Sequence, residues 1–277
     1  MKTGRGIAAF ACVMLACGAA AAPTWAGKTA SSDRLARSSI IAGGTADITG
    51  FPYVAAILFK GRLHCGGAML SPTKVLTAAH CVDGINPAKL SVATGRSRLS
   101  DTSTGQTIRV AAATPHPDYH QTQIHDIGVI TLSAPTSAPS VDLPTPEQAA
   151  AFSIPGQLLH VAGWGARNPF GFSLSKVLKQ TTEMIRPDRR CRRAYRKLYV
   201  ASAMICALGR KLKKFGRPFI HTTACSGDSG APLVADTPEG VRVLGTVSFG
   251  GAFCGIGAAP TVYARVSGSL PFIQSQL

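Results

Sequence analysis

The sequence predicts an all-β chain built in two halves. Short runs rich in β-branched and aromatic residues recur along it. Turn formers punctuate them, with 29 glycines and 18 prolines in 277 residues. One stretch rich in Pro, Ala and Ser, from Ser133 to Gly156, separates the runs into two sets. In its first half, Tyr53–Phe59, Leu90–Thr94, Thr107–Ala113 and Ile127–Leu132 read as strands. In its second half, Leu158–Ala162, Val177–Ile185, Val241–Ser248 and Thr261–Val266 do the same. Pro135, Pro139, Pro144 and Pro146 disfavour a central strand in the connector, where Glu147–Phe152 can form one helical turn. Residues 267–277 read as a short C-terminal helix, with Ser269 as N-cap and Pro271 in its first turn.

Residues 1–26 are expected to be a secretory signal. Lys2 and Arg5 give a positive start, and Ile7 to Ala22 is an apolar run followed by small residues. Met14-Leu15-Ala16-Cys17 offers a lipoprotein signal as the alternative, although the positions before Cys17 fit it poorly. No later segment approaches the ~20 apolar residues needed to span a bilayer. Residues 27–40, polar and rich in small residues, read as a propeptide. The expected location is therefore secreted, extracellular or periplasmic. Without residues 1–40 the net charge falls from +16 to +12. Eight cysteines become six once Cys12 and Cys17 leave, an even number that argues for disulfides in an oxidising compartment. Six cysteines allow about 15 pairings, and spacing does not choose among them.

Three stretches carry chemistry. Cys225-Ser226-Gly227-Asp228-Ser229-Gly230 sets a serine between glycines, with peptide N–H groups free to face open space. A serine hydroxyl needs a neighbouring base to act as a nucleophile. Leu76-Thr77-Ala78-Ala79-His80-Cys81 offers a base, and His125-Asp126-Ile127-Gly128 offers an acid to orient it. The chain order is His, Asp, Ser, which is one of several orders in which such a triad is found. Ile41-Ala42-Gly43-Gly44, Cys65-Gly66-Gly67, Gly163-Trp164-Gly165 and Val247-Ser248-Phe249-Gly250 extend the pattern. From about Ile41 to Leu277 the chain resembles the chymotrypsin-like (trypsin-like) secreted serine proteases.

That resemblance implies two six-stranded antiparallel Greek-key barrels, one over about residues 41–135 and one over about 155–266, with the active site between them. It implies His80, Asp126 and Ser229 as catalytic residues and the N–H groups of Gly227 and Ser229 as the oxyanion hole. It also implies that Ser248 bonds Asp126 and lines the cleft. Activation would pair a freed Ile41 amine with Asp228. Ile40 precedes Ile41 where the family carries Arg or Lys, and Arg37 lies three residues too early. Trimming after Arg37, a different processing enzyme, self-processing, or Ile40 as the true terminus all stay open. The implied disulfides are Cys65–Cys81, Cys191–Cys206 and Cys225–Cys254.

Substrate choice would rest on Thr223 at the floor of the S1 pocket and on Gly250 and Thr261 in its walls. None of these is acidic. A buried substrate cation without a partner costs several kcal/mol, so the expectation is a non-tryptic pocket for an uncharged, small-to-medium apolar P1 residue. No cofactor is expected. The family's calcium loop would fall in Ser91–Thr107, which offers Asp101 and no glutamate. His116, His120 and His125 cluster within ten residues, yet no cysteine or carboxylate set completes a metal site, and the expectation is none.

Between Arg186 and Arg217 twelve Lys or Arg residues stand against Asp188 alone, giving +11. One reading is a solvated helix and loop kept soluble by charge. The other is a surface that docks a polyanion. Two functions from different classes follow: a secreted serine endopeptidase made as a zymogen, or a protease-fold polyanion-binding protein. The expected partners are protein or peptide substrates, and the expected state is a monomer.

Overall fold

The computed structural model describes residues 43–212 and 219–277. The signal segment, the propeptide, Ile41, Lys213, Lys214 and Arg217 lie outside these residues. A two-residue strand, β1 (Gly44–Thr45), comes first and pairs far away in sequence with residues 179 and 180. Then come β2 (Val54–Phe59), β3 (Arg62–Ser71), β4 (Lys74–Thr77), β5 (Leu90–Thr94), β6 (Gln106–Pro115) and β7 (Gly128–Leu132). These six close into an antiparallel barrel in the order β2-β3-β4-β7-β6-β5. The β2–β3 hairpin turns at Lys60-Gly61, both at positive φ (49° and 78°), the backbone that two-residue hairpin turns require. Inward residues such as Ile57, Met69, Val75, Val92 and Ile130 fill the barrel. Each fully buried side chain of this kind contributes roughly 1.5–3 kcal/mol.

A short helix, α1 (Tyr119–Thr122), precedes β7, and the connector between the halves carries α2 (Pro146–Phe152). Its start is a capping box: Gln148 N donates to Thr145 Oγ1 at 3.2 Å, and Thr145 N donates to Gln148 Oε1 at 3.0 Å.

The second half contains β8 (Leu158–Gly163), β9 (Lys179–Ile185), helix α3 (Asp188–Tyr195), β10 (Met204–Gly209), the small pair β11 (Lys211–Leu212) and β12 (Ile220–His221), β13 (Pro232–Thr237), β14 (Gly240–Phe249) and β15 (Thr261–Arg265). The sheet runs β9-β10-β15-β14-β13-β8, and a β8–β9 pairing closes these six strands into the second barrel. Leu159, Val161, Ile205, Leu233, Leu244 and Tyr263 pack inside it.

Strands β3, β4, β10 and β13 are absent from the sequence-based set. β3 carries Cys65-Gly66-Gly67 and β10 ends on Gly209, residues that read as turn formers until barrel closure pairs them. The chain ends on α4 (Leu270–Ser275), preceded by a 3-10 turn at Val266–Ser269. Pro271 lies in its first turn, but Ser269 makes no capping bond. Its hydroxyl instead sits 3.1 Å from His125 Nδ1, because the helix packs against the loop before β7.

The halves meet closely at the serine loop. Gly66 N donates to Ser229 O at 2.7 Å. Next to it, Gly230 adopts φ +78°, and a Cβ there would overlap the Thr77 hydroxyl and stand 2.6 Å from Gly66 O. Glycine is what lets the serine loop of the second barrel lie on β3 and β4 of the first.

Candidate active site

His80 stands in the 3-10 turn Ala79–Cys81 that follows β4, and Asp126 stands two residues before β7. The β4–β7 pairing, Thr77 opposite Gly128, brings these two segments together. Asp126 is buried, and His80 is about one-third exposed. The His80 ring Nδ1 lies 2.8 Å from Asp126 Oδ2, and His80 N donates to Asp126 Oδ1 at 2.9 Å. From β14 of the other barrel, Ser248 Oγ donates to Asp126 Oδ2 at 2.5 Å. Burial alone pushes the Asp126 carboxyl up. The ring and backbone of His80 and the Ser248 hydroxyl outweigh it, holding this carboxyl below its ordinary value. An ionised carboxylate only accepts, so Nδ1 carries the proton and Nε2 is left as the basic nitrogen.

Ser229 lies in the loop before β13 and is partly exposed. Besides the Gly66 bond to its carbonyl, Cys81 Sγ approaches Ser229 O at 3.8 Å. The residue after His80 and the main chain of Ser229 are thus neighbours. The Ser229 hydroxyl makes no hydrogen bond among the described residues, and Ser229 lines the adjoining pocket. The N–H groups of Gly227 and Ser229 donate to no group among the described residues.

The disulfides are Cys65–Cys81, Cys191–Cys206 and Cys225–Cys254, with Cα–Cα separations of 6.2, 6.1 and 5.5 Å. The first ties β3 to the residue beside His80. The third ties the serine loop to residue 254 across a pocket.

That pocket has a volume of about 170 Å³. Ala224, Ser229, Val247, Ser248, Gly250 and Thr261 are among its lining residues, and no lining residue carries a formal charge. Thr223 is buried behind the lining, with its Oγ1 2.5 Å from Thr261 Oγ1. Asp228 is fully buried beneath the loop. Gly165 N and Cys225 N donate to its two oxygens at 2.7 and 3.0 Å, and burial nevertheless raises its carboxyl to about 6. No cation lies against it among the described residues. Its proposed partner, Ile41, is outside them.

One acid escaped the reading of the sequence. Glu183, on β9, is fully buried and accepts from Ala224 N at 3.0 Å. Its strand alternates buried and less buried residues, and Glu183 falls on the inward side between Thr181 and Ile185. The residues Lys179-Gln180-Thr181-Thr182-Glu183-Met184-Ile185 carry no matching alternation of polarity, and a single charged residue in a strand ordinarily faces water.

His116 and His125 stack at 4.7 Å, while His120 turns away to Asp83 at 3.2 Å, so the three do not converge. Among the described residues the one tight His/Cys/Asp/Glu group is Cys65, His80 and Cys81, and its sulfurs are joined to each other. Asp101 accepts from Ser103 N at 3.1 Å in a local turn. A second, larger cavity of about 830 Å³ lies away from Ser229 and is lined by Arg186, Arg189, Arg190 and Arg193. Helix α3, which supplies most of these arginines, touches the pocket wall through Tyr195. Its ring meets Phe249 edge-on at 5.3 Å, and its hydroxyl donates to Pro260 O.

Residues 40–273 match the family described as Trypsin. Among individual proteins, the chain is 30% identical over 240 residues to a trypsin of Saccharopolyspora erythraea, covering 86% of this chain and 98% of that protein. It is 31% identical over 226 residues to serine protease 57 of Mus musculus, covering 80% and 75%. It is also 30% identical over 253 residues to glucanase inhibitor protein 3 of Phytophthora infestans, covering 89% and 92%.

Proposed function

Because the chain belongs to the trypsin family of chymotrypsin-like serine proteases, we propose that it is a secreted serine endopeptidase, made as a zymogen, that works through His80, Asp126 and Ser229. The observation that carries this reading is the Asp126 carboxylate, held by His80 and Ser248 so that His80 Nε2 stays basic beside the Ser229 loop. Ser229 Oγ attacks the scissile carbonyl while His80 Nε2 takes its proton. The N–H groups of Gly227 and Ser229 receive the oxyanion, each such donor being worth about 2.7–4 kcal/mol. His80 then returns the proton to the departing amine as the C–N bond breaks and an acyl ester remains on Ser229. Water, deprotonated by the same imidazole, hydrolyses that ester.

Asp228 is the receiver of the Ile41 amine after processing. The uncharged lining of the 170 Å³ pocket supports an uncharged, small-to-medium apolar P1 residue. A serine-directed phosphonate probe tests the reading. It is expected to label the processed protein and to leave Ser229→Ala unlabelled. A folded, processed protein that takes up no label overturns it.

A second reading has one specific observation behind it, the arginine-lined cavity beside α3. In this reading the basic face docks a polyanion and the chain binds rather than cleaves. A relative that carries an inhibitor's name is the comparison that points this way. The phosphonate probe separates the two readings.

A further inference from the structure

Three hydroxyl or carboxyl groups connect the substrate pocket to a buried acid. Thr261 lines the pocket. Its Oγ1 is 2.5 Å from Thr223 Oγ1, and the Thr223 hydroxyl in turn lies against Glu183. Ala224, also in the pocket lining, donates its N–H to Glu183 Oε1 at 3.0 Å. The other carboxyl oxygen, Oε2, and the Tyr263 hydroxyl lie close together, yet neither completes a well-formed hydrogen bond. Two buried polar atoms are thus left short of partners directly behind the pocket floor. Each orphan of this kind is destabilising. Glu183 Oε1 has a structural task, accepting from Ala224 N, but nothing in the packing requires the second carboxyl oxygen to be buried there.

We propose that Glu183 is a specificity-determining residue that acts on the P1 side chain through Thr223 and Thr261, and that its ionised form lets the pocket accept a P1 lysine. This rests on the endopeptidase reading above.

The hydroxyl chain gives the mechanism. An ionised Glu183 can only accept, so Thr223 donates to it and Thr261 donates to Thr223. The Thr261 oxygen then presents a lone pair to the pocket, with a negative charge behind it. A lysine ammonium, with three donors and one positive charge, fits that floor. A protonated Glu183 donates instead. Thr223 then donates to Thr261, and the Thr261 O–H turns into the pocket, where it opposes a cation and leaves uncharged side chains favoured. The titratable and charged groups facing Glu183 are Tyr263 of β15, Asp228 of the serine loop, and Arg186 just beyond its own strand. Burial raises the Glu183 carboxyl to about 7, which puts the change in the neutral range.

The test uses two peptides that differ only at P1, lysine in one and norleucine in the other. The processed enzyme cleaves both across pH 5.5 to 9. The ratio of their kcat/KM values cancels any pH dependence of the catalytic steps that both substrates share. In the wild type the lysine-to-norleucine ratio is expected to rise at least tenfold with pH. In Glu183→Gln it is expected to stay flat and low. Thr261→Val, which cuts the hydroxyl chain from the pocket side, is expected to flatten it too and serves if Glu183→Gln fails to fold. A flat ratio in the wild type with norleucine still cleaved overturns this proposal and leaves the endopeptidase reading standing. Cleavage of neither peptide overturns both.

Discussion

Ser248 of the second barrel donates its hydroxyl to Asp126 of the first at 2.5 Å, on the same carboxylate oxygen that faces His80. The acid that orients the imidazole is therefore fixed from both barrels, and any loosening of one against the other reaches His80. Removing one hydrogen bond to a charged group costs roughly 1.5–3 kcal/mol. Ser248→Ala is expected to lower kcat/KM by about 10- to 100-fold and the melting temperature by roughly 3–12 °C. Asp126→Asn is expected to lower kcat by about 10⁴ and Ser229→Ala by about 10⁶. Steady-state kinetics on a P1-norleucine peptide checks all three, and full activity in Ser229→Ala would remove the assignment.

The buried Asp228 predicts opposite effects before and after processing. Burial holds its carboxyl at about 6, above the roughly 3.9 of an unfolded aspartate. Without a cation partner the fold prefers the neutral acid. The stability of the uncleaved chain is then greatest below about pH 4 and declines as the pH rises through about 6, by about 3 kcal/mol for this group. Asp228→Asn, which keeps one of the two acceptor oxygens and cannot ionise, is expected to abolish the activity gained on processing and to remove this fall in stability between about pH 4 and 6 from the uncleaved chain. An unchanged pH dependence of the melting temperature in that variant would count against this role for Asp228.

Gly230 is where the serine loop meets the first barrel. A Cβ there combines positive φ with overlap of Thr77 and Gly66. Gly230→Ala is expected to destabilise by about 3 kcal/mol or more, or roughly 6–12 °C in a scanning melt. A melt within a degree of wild type would show that the junction yields easily.

The arginines of the larger cavity predict salt-dependent retention on a polyanion. Arg189→Ala, Arg190→Ala and Arg193→Ala combined are expected to elute from heparin at distinctly lower salt than wild type, with peptide hydrolysis unchanged. Equal elution would leave this face as a solvated one.

Much of this protein is decided by short stretches of its chain. His80, Asp126 and Ser229 each sit in a local motif whose glycines and small residues announce an unusual backbone. Strands such as Leu90–Thr94 announce themselves by composition, and the turn of α2 by its flanking residues. These signals are local because turn geometry, capping and β-propensity act within a few residues. Other features needed the closed barrels. Gly66 reads as a loop residue until it pairs within β3 and carries Ser229 O. Ser269 reads as a helix cap until His125 arrives from 144 residues away. Glu183 reads as a surface charge until closure of the second barrel turns it inward behind Thr223. Burial and hydrogen-bond partners are set by residues distant in the chain, so the sequence supplies the chemical groups and tertiary packing alone decides which of them meet.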